Sequence, residues 1–472
     1  MKIKAIKKDV GYAIDSIESL GKEKAYKVRL PDYPIDKKLA VSRKNLNGNI
    51  EICIYIEEPY KYPYMADWEK FGIYESFILE NTNSIYSVGK GNRLNASIVA
   101  SDPMTIKIEV ESFQKGETST FNDTHLRLVI PCEKKIEFNA FHANPHKIND
   151  TTYFNGLIKI NLNNSQYHLY KYSNKDKNTN YLIIDSCQPE KLDSFKDITK
   201  SILLSYGFVT GNLYQDAYYY QVLSKDKTVL STNTSYFKQE PSALSSANLF
   251  HPMDFKMYLK HFKKEYVLDK ISAFLTENYF NKMVSKIHSL PELSHCIKLM
   301  IEGNQSNLLL LRGGIYSIAL ETMTNIICDE NEDKLNPISD KKLSKLLIEK
   351  FKLILDEYSP FISDYGTKVL NTKIDNINSP TNSKKLLKPF EILGIKLNKE
   401  EIKILNQRNK FLHGVSIDSN DEDLKYVTYK FLTLVNILIL KYCGYNGHIA
   451  DYGAMYQLRH QDKVTAHLFR II

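Results

Sequence analysis

The sequence has few cysteines and no long apolar run. Its six cysteines lie far apart, and none belongs to a CxxC pair or to a Cys/His cluster at zinc spacing. No apolar run reaches the length of about 18 residues that a membrane helix needs, and the N-terminal stretch lacks a continuous apolar core. These absences argue against a disulfide scaffold, a zinc module, a secreted protein and a membrane protein, and they predict a cytoplasmic location.

Arginine is also scarce, since only eight of the 63 lysines and arginines are arginine. The formal net charge of +8 is spread over 472 residues, so a polyanionic partner is permitted but not required. With 43% hydrophobic and 25% charged residues, the chain has the composition of a globular protein. Its length is too great for one ordinary core and predicts two or three domains.

The first part of the chain carries the patterns of β-strands, separated by turn-like clusters of Asn, Asp, Gly and Lys. Strands are predicted at 51–58, 104–113, 124–132, 157–162, 166–172 and 180–186. Helical periodicity follows at 189–208, and then a strand-like stretch contains Tyr218, Tyr219 and Tyr220. Such rings have the chemistry to stack on bases, but an ordinary strand with alternate rings in the core is the favoured interpretation.

A Ser-, Thr- and Asn-rich passage near 226–250 predicts a domain boundary. The predicted fold class is therefore α+β and multidomain, with a β-rich N-terminal domain at 1–245 and an all-α bundle at 246–472. The polar stretch 371–383 predicts a loop. Helices are predicted at 252–287, 290–302, 306–328, 340–357, 384–393, 399–413 and 421–443.

One of these helices combines apolar periodicity with inward polar residues. Asn398 and Glu401 have the spacing of a capping box at its start. At 100° per residue, Arg408 and Asn409 fall inside the apolar arc, and His413 falls on its edge. Because a buried guanidinium needs a partner, Arg408 predicts either a carboxylate beside it or a cleft that admits an anion.

Arg408 and His413 together suit cleavage of RNA by the substrate's own 2'-hydroxyl. A histidine acts as general base or general acid near neutral pH, and an arginine holds the phosphate and stabilises the charge of the transition state. This chemistry requires no metal and no cofactor. Spacing alone is weak evidence, because about 0.6 such Arg–His pairs are expected by chance. A helix-end histidine beside a buried, salt-bridged arginine is the structural alternative.

The stretch RNKFLHG at 408–414 resembles the RxxxxH signature of HEPN-domain ribonucleases. LILKYCGYNGHIADYG near the end of the chain and SILLSYGFVTGNLYQDAYYYQV before the boundary resemble segments of ApeA-type anti-phage proteins. The resemblance implies a HEPN-like helical nuclease domain that dimerises, a β-rich regulatory or sensor domain, and abortive infection as the role. It also implies RNA as substrate, with transfer RNA as one candidate, and a phage-derived trigger at the N-terminal domain.

By this resemblance Arg408 and His413 are catalytic and Asn409 orients them. Glu321, on an earlier helix, is a supporting acidic residue that either pairs with Arg408 or lies in solvent, and Lys410 is a second supporting residue. On a regular helix Arg408 and His413 are 140° apart, so a loosened helix end or a second subunit is required. The alternative function is a non-catalytic HEPN module that binds a nucleotide or RNA, or only dimerises, while its N-terminal domain recognises a protein.

Overall fold

The computed structural model describes the following residues of the chain: 10–15, 17–18, 24–29, 39–44, 50–56, 77–81, 84–88, 95–99, 104–110, 112–115, 121–132, 136–138, 140–141, 146–148, 151–153, 156–174, 179–214, 218–224, 229–235, 275–412, 421–460 and 469–472. Within them, the N-terminal half forms an antiparallel sheet and the C-terminal half is mostly helical. The predicted α+β composition is therefore confirmed.

The chain divides into two compact units. The first, or sheet unit, comprises the described residues of Met1–Gly207, Asn212–Pro241 and Thr276–His288. The second, or helical unit, comprises those of Phe208–Gly211, Ser242–Leu275 and Ser289–Ile472. The predicted boundary at 245 lies outside the described residues and stays a prediction.

The sheet unit contains a sheet of 14 described strands, and all neighbouring strands are antiparallel. Their spatial order is β12-β13-β14-β9-β15-β16-β8-β5-β4-β1-β2-β3-β7-β6, while β10 pairs with β11 separately. The strands are β1 Lys24–Arg29, β2 Leu39–Lys44, β3 Ile50–Ile56, β4 Phe77–Asn81, β5 Ser84–Val88, β6 Asn95–Val99, β7 Met104–Val110, β8 Ser112–Lys115, β9 His125–Cys132, β10 His146–Ile148, β11 Thr151–Tyr153, β12 Leu157–Leu162, β13 Ser165–Asn174, β14 Thr179–Ser186, β15 Tyr218–Leu223 and β16 Val229–Ser235.

The core of the sheet unit lies around β9, which pairs with β14 on one side and β15 on the other. Tyr218, Tyr219 and Tyr220 on β15 are all buried, so both faces of this strand are covered. Base stacking by these rings is therefore excluded, and the core-strand interpretation holds, with all three rings buried instead of alternate ones. Phe195 packs edge-on against Tyr220, with ring centroids 6.0 Å apart.

The helices are α1 Leu192–Thr210, α2 Glu277–Ser289, α3 Pro291–Gln305, α4 Leu309–Glu330, α5 Glu332–Leu335, α6 Lys341–Tyr358, α7 Asp364–Asp375, α8 Asn382–Ile392, α9 Lys399–Asn406, α10 Arg408–Leu412, α11 Asp421–Tyr442 and α12 Tyr452–His460. A 3-10 turn covers Ser359–Phe361, and strands β17 His448–Ala450 and β18 Phe469–Ile471 pair with each other. None of the helices in the described ranges is long and apolar enough to cross a membrane.

Three helical predictions need correction. The predicted helix 399–413 is two helices, because the chain turns at Gln407. The predicted loop 371–383 begins inside α7, whose first turn is capped by the Ser363 hydroxyl. Residues 277–287 of the predicted helix 252–287 lie in α2 and belong to the sheet unit, where the Glu277 carboxylate accepts a hydrogen bond from the Lys159 backbone at 2.9 Å.

Helix α11 forms the centre of the helical unit. Every residue from Phe431 to Leu440 on this helix is buried, including Thr433 and Asn436. A helix that is buried all round must be surrounded by other elements, and α4, α9 and α12 pack against it. Helices α4 and α9 thereby acquire fixed positions, and both lead to the candidate site.

Candidate functional site

The segment that carries Arg408 begins at a well-defined helix start. The Asn398 side chain accepts a hydrogen bond from the Glu401 backbone at 2.9 Å, and the Glu401 carboxylate accepts one from the Asn398 backbone at 3.0 Å. This is the predicted capping box. Ile404 and Leu405 on the same helix are buried. The start and the inner face of α9 were therefore readable from the sequence.

The helix is interrupted one residue before Arg408. The backbone N–H of Gln407 donates to the carbonyl of Ile404 at 3.0 Å, and that of Lys410 donates to the carbonyl of Gln407 at 2.9 Å. These bonds span three residues instead of four, which is the tighter 3-10 pattern. A single helical wheel drawn through Gln407 therefore misplaces the residues that follow.

Phe411 fixes the short helix α10 against α4. A Cβ atom built on Gly313 would lie 2.1 Å from two atoms of the Phe411 ring, so only glycine leaves room for this contact. On its other side Phe411 lies 6.1 Å from Phe431 of α11, measured between ring centroids. Gly313 is a site residue that the motif pattern did not reveal. The signal for it is a pair of glycines inside an apolar helix, which marks close backbone approach.

Arg408 lies partly buried beside Glu321 of α4. Its side chain is 14% exposed, that of Glu321 is 43% exposed, and Arg408 Nε is 3.6 Å from Glu321 Oε1. The Ser317 hydroxyl, which donates to the Gly313 backbone carbonyl at 2.7 Å, lies 3.5 Å from the Arg408 backbone carbonyl. Glu321 is thus neither fully solvated nor buried, and it lies where it neutralises the guanidinium in part.

The remaining predicted residues do not all lie as expected. Asn409 is exposed rather than inside the apolar arc, because the turn at Gln407 rotates it outward. It still accepts a hydrogen bond from Arg408 Nε at 3.3 Å. Lys410, the second supporting residue, is exposed. His413 lies outside the described residues, so its role stays a prediction.

The guanidinium of Arg408 has hydrogen-bonding capacity that the described residues do not use. Both neighbours that the structure gives it, Glu321 and Asn409, contact Nε. Neither Nη atom of Arg408 donates a hydrogen bond to any residue in the described ranges. A guanidinium held at one nitrogen presents its other two to an incoming anion, and phosphate has the geometry to accept both.

A buried ionic cluster lies behind the start of α9. Glu401 Oε1 is 2.7 Å from Arg470 Nη1 and 3.4 Å from Lys430 Nζ, and Lys430 also pairs with Asp451. The Asp451 carboxylate accepts a hydrogen bond from the Ala454 backbone at 3.1 Å. Two cations and two carboxylates balance, and they join α9, α11, the start of α12 and β18.

The described residues contain no group of three or more His, Cys, Asp or Glu side chains that could hold a metal ion. No family model, curated protein or solved structure matches this chain. The resemblance to HEPN ribonucleases therefore depends on the residues of the chain itself. The geometry that accompanies it is a partly buried arginine, anchored by one carboxylate and one amide, with two nitrogens available.

Proposed function

We propose that this protein is an endoribonuclease of the HEPN type, which cleaves RNA through attack of the substrate's own 2'-hydroxyl on the adjacent phosphate. The observation that supports the proposal is the state of Arg408. Its side chain is 14% exposed, its Nε faces Glu321, and its two Nη atoms have no acceptor in the described part of the chain. Such a group binds a phosphodiester well and stabilises the dianionic transition state better.

Each residue has a separate task in this proposal. Arg408 donates two hydrogen bonds to the non-bridging phosphate oxygens, and Glu321 keeps the guanidinium plane in place. His413 removes the proton of the 2'-hydroxyl or returns a proton to the departing 5'-oxygen. One bond forms between the 2'-oxygen and phosphorus while the bond to the 5'-oxygen breaks, so the products are a cyclic phosphate and a 5'-hydroxyl end. Metal ions are not required for either proton transfer.

The proposal includes two partners in addition to RNA. A second copy of the helical unit supplies part of the cleft, because Arg408 and His413 would not point the same way on a regular helix. A phage-derived component acts on the sheet unit and releases the nuclease, which gives abortive infection. If so, toxicity in cells should depend on infection in the full chain, and unchanged toxicity with and without phage would remove the trigger from the proposal.

The ribonuclease proposal is tested by cleavage of cellular RNA by the purified full chain in the presence of a chelator. Arg408→Ala and His413→Ala should each lower the cleavage rate by at least about 10²-fold, the usual effect of losing a transition-state donor or an acid–base group. Lys403→Ala is the matched control, because Lys403 is an exposed cation on α9. It should cleave at the rate of the unmodified protein.

Two results would contradict the proposal. If Arg408→Ala and His413→Ala cut RNA as fast as the unmodified chain, the assignment of these residues is wrong. If the unmodified chain binds RNA but never cuts it, and its toxicity persists in His413→Ala, the protein is a binding module. Circular dichroism of each variant separates a loss of chemistry from a loss of fold.

A further inference from the structure

One face of α4 is apolar, exposed and continuous with the candidate site. Leu310 and Leu311 are each 52% exposed, and Ile318 is 44% exposed. At 100° per residue, these three residues fall with Gly314 and Glu321 within an arc of about 100°. The arc forms one stripe on the helix, which runs from two exposed leucines to the carboxylate of the candidate site.

Gly314 leaves a gap in the middle of this stripe. A Cβ atom built at Gly314 would lie 3.8 Å from the Phe411 backbone oxygen, which is the nearest described atom outside the helix's own backbone. At the preceding Gly313, by contrast, the Phe411 ring fills the space. Leu310 and Ile318 lie about 6 Å to either side of Gly314 along the helix axis. The result is a notch one side chain deep, which we call the α4 notch.

The α4 notch has one polar group in its wall. The Phe411 backbone oxygen accepts no hydrogen bond from any residue in the described ranges, so its lone pairs suit an N–H donor. The other walls are aliphatic side chains. The floor is the bare backbone of Gly314, which lets a flat group approach closely. These features together fit a flat ring that carries an N–H group on its edge.

The guanidinium at the end of the stripe indicates which molecule carries such a ring. Glu321 lies about 10 Å beyond Gly314 along the helix axis, and its carboxylate is 3.6 Å from Arg408 Nε. The two Nη atoms of Arg408 donate to no residue in the described ranges and suit a phosphate. A nucleotide combines a flat ring that has an N–H edge with a phosphate. An apolar protein segment would instead leave the Phe411 oxygen and the guanidinium without partners, which is costly.

We propose that the α4 notch binds the base of the nucleotide whose phosphate Arg408 holds. This inference deepens the proposed function and rests on it, because that phosphate is the one that is cleaved. Every RNA base has an N–H donor on its pairing edge, so the notch selects an unpaired base and not one particular base. In a duplex this edge is paired and the faces of the base are stacked. The substrate class is therefore RNA with an unpaired nucleotide at the cleavage site.

The test compares the binding of two single-stranded 2'-O-methyl oligonucleotides of equal length to the full chain. One carries bases, and the other is abasic at every position, so the two have the same charge. Neither can be cut through the 2'-hydroxyl, because that group is blocked. Fluorescence anisotropy should show that the base-bearing oligomer binds at least about tenfold more tightly, since base stacking adds to the phosphate contacts.

Three variants separate the notch from the guanidinium. Gly314→Val fills the notch and should reduce the preference for bases to about twofold or less. Ile318→Ser removes one wall without adding bulk, so it tests the same site if valine disturbs the helix, and it should reduce the preference at least about threefold. Arg408→Ala should weaken both oligomers by the same factor, because both carry phosphate. Leu353→Ser is the matched control, since Leu353 is a 64% exposed aliphatic residue on α6, and it should change neither affinity.

Three results would overturn the inference. The first is equal affinity of the wild type for the two oligomers, or no binding of either up to about 1 mM. The second is an undiminished preference for bases in both Gly314→Val and Ile318→Ser. The third is a changed sedimentation coefficient in these variants with no change in base preference, which would mean that the stripe contacts a protein surface.

Cleavage is measured separately, so this inference and the proposed function fail in different ways. A chain that prefers the base-bearing oligomer but never cuts RNA would contradict the ribonuclease proposal and leave the α4 notch as a base-binding site. A chain that cuts RNA but shows no preference for bases would contradict the inference alone. Cuts that map to paired nucleotides in a structured RNA would do the same.

Discussion

Each unit contains a glutamate whose carboxyl group is at least partly buried, but the groups that surround the two carboxyl groups differ. In the helical unit, Glu401 is 3% exposed and lies within 3.4 Å of two cations, those of Lys430 and Arg470. In the sheet unit, Glu190 accepts one hydrogen bond, from the Tyr167 hydroxyl at 3.1 Å. Its other oxygen, Oε1, is buried and has no hydrogen-bond partner in the described part of the chain.

This difference shows that neighbouring charges, and not burial alone, determine how strongly the protein disfavours the ionised form of a carboxyl group. Burial raises the pKa of Glu190 to about 7, and the hydrogen bond from Tyr167 offsets only part of that shift. Burial and the nearby Glu190 carboxylate also raise the pKa of Tyr167 well above its usual value. Glu401 is more deeply buried, yet the two cations and the Asn398 backbone stabilise its charge.

The largest effect is expected from removing the charge of Glu401. Glu401→Gln keeps the shape of the side chain but leaves Lys430 and Arg470 with one carboxylate, that of Asp451, between them. Breaking a buried pair in this way costs about 3 to 5 kcal/mol of unfolding free energy. Urea unfolding at pH 7 measures it. Glu349→Gln, at an exposed glutamate on α6, is the control and should change stability by less than about 0.5 kcal/mol.

A small effect in Glu401→Gln would mean that the cluster is dispensable and that α9 is held by apolar packing alone. The comparison with Glu190 would then lose its basis. Replacing both members of the closest pair, Glu401→Gln with Arg470→Met, sharpens the test, because Lys430 keeps its pair with Asp451. Removing the uncompensated cation as well should recover part of the stability that the single variant loses.

The local half of this cluster was predictable from the sequence, and the distant half was not. The capping box depends on two residues that are three positions apart, so Asn398 and Glu401 could be read directly. Arg470 reaches Glu401 from 69 residues further along the chain. Its place depends on the pairing of β18 with β17, which no local pattern specifies. The same limit applies to the order of the 14-stranded sheet, whose strands alternate clearly but whose partners are remote.

The candidate site shows where local reasoning is misled. The helical wheel placed Arg408 toward the core correctly, yet it placed Asn409 there too, because it assumed one helix through Gln407. The interruption coincides with the packing of Phe411 against Gly313, a contact between segments almost a hundred residues apart. Polar composition also led to a wrong prediction, because Asn371 and Thr372 suggest a loop but lie in α7. A cap at Ser363 and an ion pair between Lys352 and Asp375 stabilise this helix.

An intermediate effect is expected from Glu190, and it depends on pH. Because its pKa is about 7 in the folded protein and near 4.5 in the unfolded chain, the folded state binds the proton more tightly. The stability from this group is complete below pH 4.5 and is lost as the pH rises to 7. The free energy of unfolding of Glu190→Gln should therefore exceed that of the wild type by roughly 1 to 2 kcal/mol at pH 8. Near pH 4.5 the two proteins should be equally stable.

Urea unfolding at several pH values measures this effect, and the sign is decisive. A variant that is less stable than the wild type at pH 8 would mean that a cation outside the described residues compensates Glu190, as Lys430 and Arg470 compensate Glu401. Both glutamates would then be neutralised by neighbouring cations.

The smallest effect on stability is expected at Glu321, whose side chain is 43% exposed and 3.6 Å from Arg408 Nε. Solvent screens a pair of this kind, so Glu321→Gln should change the unfolding free energy by less than about 1 kcal/mol, and 1 M salt should abolish the difference. Glu302→Gln, at an exposed glutamate on α3, is the control. A loss of about 3 kcal/mol would show that Glu321, like Glu401, is a carboxylate that stabilises the fold. Arg408 would then be held in an internal ion pair and could not bind a phosphate.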